Sequence, residues 1–126
     1  MPVTNNLSLG KKGEEQAAMT LEAAGMKIIA KNYRCKTGEI DIIAIEGETV
    51  VFTEVKTWTA FGLEDLRYVI DNKKQQKIIK TAKFFMSENR KYSNMAIRFD
   101  VIFLKNDKIS GGYQVTHLAS AFPERV

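Results

Sequence analysis

Cysteine and histidine are nearly missing: Cys35 and His117 are the only residues of their kinds among 126. A lone cysteine excludes an intrachain disulfide, so a reduced, cytoplasmic setting is the natural expectation. The same scarcity argues against a zinc site, which usually draws four ligands from Cys, His and carboxylates. Cys35 is expected to be a structural or surface thiol, with a Cys–His nucleophile pair as the weaker alternative. His117 is expected to be a polar residue near the end of the fold. No apolar run approaches the ~18 residues of a membrane span. Met1–Asn6 lacks the charged-then-apolar order of a signal peptide, so no membrane partner is expected. Repeats, linkers and low-complexity tracts are absent as well.

What is present fits a folded domain. Hydrophobic residues make up 44% and charged residues 27% of the chain, the balance of a globular protein. The length suits one domain spanning 1–126, with residues 1–7 as a loose lead-in. A net charge of +4 tilts the partners mildly toward polyanions.

Periodicity sets the order of elements. Ser8 is the expected N-cap of a helix running to about Ala24, with Ala17, Ala18, Leu21 and Ala24 at helical spacing and Gly25 as a stop. Strands are expected at Met26–Tyr33, Glu39–Glu46 and Thr49–Thr57, the last two joined by a tight turn at Gly47-Glu48. A loop from Trp58 to about Leu66 precedes a second helix over 72–88, whose inward stripe is Ile78, Ala82, Phe85 and Met86. Lys73, Lys77, Lys80 and Lys83 fall off that stripe. They are either a solvated face or a track for a phosphate backbone. Ala96–Lys105 reads as a strand, and one or two more run to about Leu118. The order α-β-β-β-α-β-β predicts an α/β fold with a central mixed sheet flanked by helices.

Charges inside two of these apolar strands carry the chemistry. Asp41 sits in Glu39-Ile40-Asp41-Ile42-Ile43-Ala44-Ile45, and Glu54 and Lys56 sit in Val50-Val51-Phe52-Thr53-Glu54-Val55-Lys56. Such charges are costly unless paired, hydrogen-bonded or metal-bound. Alternation puts Val50, Phe52, Glu54, Lys56 and Trp58 on one face, and Asp41 with Ile43 and Ile45. In a hairpin turning at Gly47-Glu48, all three charged groups meet at the open end, provided the register holds. Two readings are open. One is a cross-strand ion pair. The other is a divalent-metal site in which Asp41, Glu54 and the Val55 carbonyl hold Mg²⁺ or Mn²⁺ and Lys56 positions water or neutralises developing charge. Glu14 and Glu15 near the start of the first helix suit its dipole.

Further blocks extend the pattern. Gly10-x-x-Gly13-Glu14-x-x-Ala17, Asn32-Tyr33-Arg34, Gly38-Glu39-Ile40-Asp41, Phe52-x-Glu54-Val55-Lys56, Lys74-Gln75 with Ile78, and Arg98-Phe99-Asp100-Val101-Ile102 occur in that order. Together they resemble the YraN family of bacterial proteins regarded as endonucleases. That family is grouped with the restriction-endonuclease-like PD-(D/E)xK superfamily and is similar to archaeal Holliday junction resolvases. The resemblance implies a mixed sheet flanked by helices, a divalent metal such as Mg²⁺ or Mn²⁺, and DNA as the expected partner. By position it implies catalytic roles for Asp41, Glu54 and Lys56, for Glu14 on the first helix, and for Gln75 on the helix after the motif strand. Gln75 has a plain alternative as a solvated helix residue. The family commonly carries a basic residue two positions after the lysine, where this chain has Trp58. That tryptophan either covers the sheet end or stacks on an unpaired base. Arg98 and Asp100 are expected to support the fold by pairing across the sheet.

The expected activity is metal-dependent hydrolysis of DNA phosphodiester bonds, on branched or single-stranded DNA. The alternatives are a non-catalytic nucleic-acid-binding module on the same scaffold and a partner-binding protein whose charges are structural ion pairs. A junction resolvase needs two active sites, so that version expects a homodimer, with Trp58, Phe61, Leu63 and Leu66 as apolar candidates.

Overall fold

The computed structural model describes residues 5–58, 70–107, 109 and 111–124, without the side chains of residues 5–11 and 58. Phe61, Leu63 and Leu66, and the tryptophan side chain, therefore lie outside the described residues. Helix α1 spans Asn5–Ala23, followed by β1 (Lys27–Cys35), β2 (Gly38–Glu46) and β3 (Thr49–Trp58). Helix α2 (Asn72–Glu88), a short 3-10 turn (Arg90–Tyr92), β4 (Ala96–Asn106) and β5 (Tyr113–Phe122) complete the order. Among the described residues the elements follow the expected order α-β-β-β-α-β-β.

Some boundaries differ. Ser8 lies inside α1 rather than capping it, and Asn5, Asn6 and Leu7 are helical rather than a loose lead-in. The N-cap residue types also sit within helices when the turn before them is helical, so Ser8 is a permissive start signal and not a decisive one. Strand β1 runs on through Arg34 and Cys35, because Cys35 pairs with Gly38 across a two-residue turn. A single strand, β5, continues past Leu118 to Phe122, since Phe122 pairs with Phe99 beyond a bulge.

The sheet is five-stranded in the order β1-β2-β3-β4-β5. Neighbours are antiparallel except β3 and β4, which run parallel from Thr49↔Ala96 to Trp58↔Lys105. Parallel neighbours need a crossover, and α2 lies in it. The hairpin of β2 and β3 closes with Glu46 opposite Thr49, and Gly47 takes φ 59° in the turn, a left-handed conformation that favours glycine.

Period-2 alternation sorts the strands between two cores. Ile43, Val50, Phe52, Phe99, Val101 and Phe103 face α2 and bury Ile78, Ile79, Ala82 and Phe85. Ile42, Ala44, Val51, Ile102 and Leu104 face α1 and bury Ala17, Ala18 and Leu21. Helix α1 approaches the sheet closely at Gly13: a Cβ there would stand 3.2 Å from Leu104 Cδ1 and 3.3 Å from Thr57 Oγ1, a tight fit to which those side chains would have to yield by a few tenths of an ångström. Helix α2 is capped by Asp71, whose Oδ1 accepts the Lys74 N–H at 2.9 Å.

Arg98 and Asp100 pair as expected. The guanidinium donates from Nε and Nη2 to the two carboxylate oxygens of Asp100, both at 2.9 Å, and from Nη1 to Glu46 at 2.7 Å. Asp100 also receives the Ser120 N–H at 3.0 Å and lies 2.8 Å from His117 Nε2. His117 is thus tied into a cross-sheet network. These groups alternate with Phe99 and Val101 and so point away from α2. They fasten β2, β4 and β5 together at the bulge, where Ser120 has φ 53°.

Candidate functional site

Strands β2 and β3 pair from the hairpin turn as far as Ile42↔Thr53. The next two positions are Asp41 and Glu54, and there the backbone ladder ends. The Val55 N–H, which a continuing ladder would give to a β2 carbonyl, donates instead to Asp41 Oδ2 at 2.7 Å. Strand β3 keeps its other partner, β4, through Trp58. The sheet therefore opens between β2 and β3, with Asp41 standing in for a backbone acceptor at the split. The register is the one that alternation predicts, and it brings Asp41 and Glu54 face to face.

Helix α2 covers this opening. Gly38, Glu39, Asp41, Glu54, Val55, Lys56, Lys74, Lys77 and Ile78 line a cleft of about 350 Å³. Asp41 is 9% exposed and the Glu54 side chain 12%. The two carboxyl groups are neighbours on the cleft wall. Burial, then the Glu54 hydrogen bond and charge, push Asp41 up to about 8, against the opposing pull of the Val55 N–H and Lys56. Burial, then the neighbouring Lys74 side chain, hold Lys56 below the usual lysine range. Burial also acts to lower Lys74, but the neighbouring Lys56 side chain and the Glu54 and Asp41 charges outweigh that and raise it. Lys74 Nζ reaches Glu54 Oε2 at 3.3 Å.

Of the residues singled out in the sequence, Asp41, Glu54, Val55 and Lys56 come together here. Gln75 does not line the cleft. Its Nε2 donates to the Ile70 carbonyl at 3.0 Å, at the start of α2. Glu14 is half-buried on α1, beside Gly13 and so near Thr57, and does not line the cleft either. Glu15 is exposed. The lysine in contact with Glu54 is Lys74, which the sequence reading had only as a neighbour of Gln75. A signal was present: stepping back one turn from Ile78 along the inward stripe of α2 reaches Lys74. Of the four flanking lysines, Lys77 enters the cleft wall, and all four are exposed.

The donor set suits a hard cation of modest demands. Among the described residues no three Asp, Glu, His or Cys side chains converge as a metal-holding group. Two carboxylates and a carbonyl do not make a closed zinc site. Mg²⁺ commonly takes one or two carboxylates and fills its shell with waters and substrate phosphates. A buried carboxyl group raised by burial and a neighbouring acid is a place where a divalent ion can compete with the proton.

Fold and site define an α/β protein with a five-stranded mixed sheet and a cleft centred on Asp41, Glu54, Lys56 and Lys74. The chain belongs to the uncharacterised protein family UPF0102, also called the YraN family, whose model matches residues 13–104. It is 47% identical over 123 residues to a UPF0102 protein of Treponema denticola, covering 91% of this chain and 95% of that one. A UPF0102 protein of Treponema pallidum (strain Nichols) is 43% identical over 127 residues, covering 100% of both. One from Syntrophus aciditrophicus is 47% identical over 102 residues, covering 79% of this chain and 78% of that one. Among the described residues, no helix is long and apolar enough to cross a membrane.

Proposed function

We propose that the protein is a metal-dependent endonuclease that hydrolyses DNA phosphodiester bonds, built on the restriction-endonuclease-like PD-(D/E)xK plan. One observation carries this reading. Asp41 and Glu54 stand side by side at the split between β2 and β3, with Lys56 on the same face as Glu54 and an open cleft in front. Glu54 is paired with Lys74, but Asp41 is buried beside it as a second acid and is elevated for that reason, and such perturbed groups in a cleft favour a chemical role.

Asp41 and Glu54 would hold the divalent ion through their carboxylate oxygens. Within a strand, the N–H and C=O of one residue point toward the same neighbour, which turns the Val55 carbonyl toward the split as well. A bound Mg²⁺ or Mn²⁺ supplies a water of lowered pKa and polarises a phosphoryl oxygen. Lys56 is placed to face the charge that develops on the phosphate. Lys77 at the cleft wall suits a backbone phosphate. The net charge of +4 favours approach of a polyanion. Glu14 and Gln75 keep supporting roles: Gln75 orders the start of α2, and Glu14 lies on the helix packed near Thr57, at the end of β3 that carries Lys56 but on the other side of the sheet.

The test is incubation of the protein with branched, flapped and single-stranded DNA in Mg²⁺ or Mn²⁺. Cleavage is expected, with loss in Asp41→Asn and Lys56→Gln. Cleavage of none of these, together with Asp41→Asn and wild type indistinguishable in metal binding, overturns the reading. DNA binding unaffected by chelator, without turnover, would favour a non-catalytic binding module instead.

A further inference from the structure

Resting on the reading of the cleft as a metal site, we propose that Lys74 is an internal counter-ion of the carboxyl pair. On this view a divalent ion displaces it, and the freed ammonium moves to a backbone phosphate of the nucleic acid.

The geometry has three parts. Lys74 Nζ lies 3.3 Å from Glu54 Oε2, so an ammonium now neutralises an oxygen that the metal would use. The side chain comes from α2, across the cleft from the strands, and it is 38% exposed where that of Glu54 is 12%. Its backbone cannot follow it, because the Lys74 N–H is bound to the capping Asp71 at 2.9 Å. Only the four-carbon stem is free to swing, and lysine is the flexible, rotatable cation among the basic residues.

Charge supplies the direction. Lys56 and Lys74 already crowd one another beside Glu54 and Asp41. A divalent ion bound to the same oxygens replaces the attraction to Glu54 by repulsion from the metal. Lys56 is fixed on β3 at the floor of the cleft, so Lys74 is the group that leaves. One turn along α2, exposed Lys77 lines the same cleft, which makes its mouth the place where a phosphate meets two ammonium groups at once. Metal and nucleic acid then favour each other's binding through one side chain, as linkage requires.

Calorimetric titration of the intact protein with Mn²⁺ alone tests this, before any nucleic acid is added. Lys74→Gln is expected to bind Mn²⁺ about threefold to fivefold more tightly than wild type, the scale of one partly exposed ion pair. Lys74→Arg, which keeps the charge, is expected to show no gain, and Lys80→Gln, on the same helix outside the cleft, no change. With Ca²⁺ present, the salt dependence of duplex binding is expected to be shallower in Lys74→Gln by about one phosphate contact, and equal to wild type in chelator. Unchanged or weaker Mn²⁺ affinity in a folded Lys74→Gln, with Mn²⁺ still bound by wild type, overturns the counter-ion and leaves the metal site standing. No Mn²⁺ binding by either protein overturns both.

Discussion

The Oδ2 atom of Asp41 accepts the backbone N–H of Val55 at 2.7 Å, so a side chain does the work of a missing strand carbonyl where β2 and β3 part. The same carboxyl group lines the cleft beside Glu54. One residue thus ends the ladder and forms the cleft, which makes its substitution informative in two ways. Asp41→Asn keeps an acceptor for the Val55 N–H and removes a buried ionisable group. Its thermal stability is expected to equal or exceed that of wild type near pH 8, with Mn²⁺-induced stabilisation lost. Asp41→Ala leaves the N–H unpaired and is expected to cost about 1–3 kcal/mol in chemical denaturation. Equal stability of the alanine variant and wild type at every pH would remove the hydrogen bond from the account.

The elevated Asp41 has a defined pH signature in metal-free protein. Its folded-state value of about 8 stands above the ordinary 3.8, so between these limits the folded state holds more protons than the unfolded one. Stability from this group is therefore fully present below about pH 4 and declines as pH rises through about 8. Thermal melts are expected to show a fall between about pH 4 and pH 8 that levels off above and is flattened in Asp41→Asn. Mn²⁺ is expected to oppose the fall, because the metal-bound form requires the ionised carboxylate. An unaltered slope in Asp41→Asn would assign the titration to another group.

Asp100 is expected to behave in the opposite sense. Burial alone would raise it, but Arg98, the Ser120 N–H and His117 together hold it below the usual carboxylate range. Its contribution is present above the unfolded value and is lost as pH falls through the folded one, so it belongs to acid unfolding. Removing it leaves Arg98 with Glu46 alone and takes away the acceptor of the Ser120 N–H at the bulge of β5. Asp100→Ala is expected to cost about 3–5 kcal/mol. Glu46→Gln, at the exposed end of the network, is expected to cost under about 1 kcal/mol. Similar losses for the two variants in urea unfolding would refute this ranking.

Phe85 joins the crossover helix to the sheet. Its ring meets Tyr33 edge-on at 5.2 Å and Phe52 at 5.8 Å, and stacks on Tyr92 at 6.2 Å. Phe85→Ala is expected to cost about 3–5 kcal/mol. Because α2 forms one wall of the cleft, the loss should also weaken Mn²⁺ binding at temperatures well below the melting point, read by calorimetry.

Much of this architecture was legible in the order of residues. Alternation in Thr49–Thr57 put Phe52, Glu54 and Lys56 on one face, and Gly47-Glu48 set the hairpin register that brings Asp41 opposite Glu54. Both are local properties: strand side chains alternate by stereochemistry, and a two-residue turn leaves one pairing. Ser8 was read as a cap and is interior to α1, because a hydroxyl residue near a helix start signals permission and not a boundary. Leu118 was read as the end of the last strand, because a bulge at Ser120 hides the continuation to Phe122.

By itself, then, the sequence determined which elements form, which strand faces are apolar, and which carboxylates and lysine share a face, since all of these follow from short-range periodicity. The tertiary structure alone decided where β2 and β3 separate, and that Lys74 rather than Gln75 reaches Glu54. It also decided that Glu14 stands apart from the cleft and that His117 locks onto Asp100. These depend on how α1 and α2 are seated on opposite faces of the sheet. That seating is fixed by side-chain packing between segments distant in sequence, which no local pattern records.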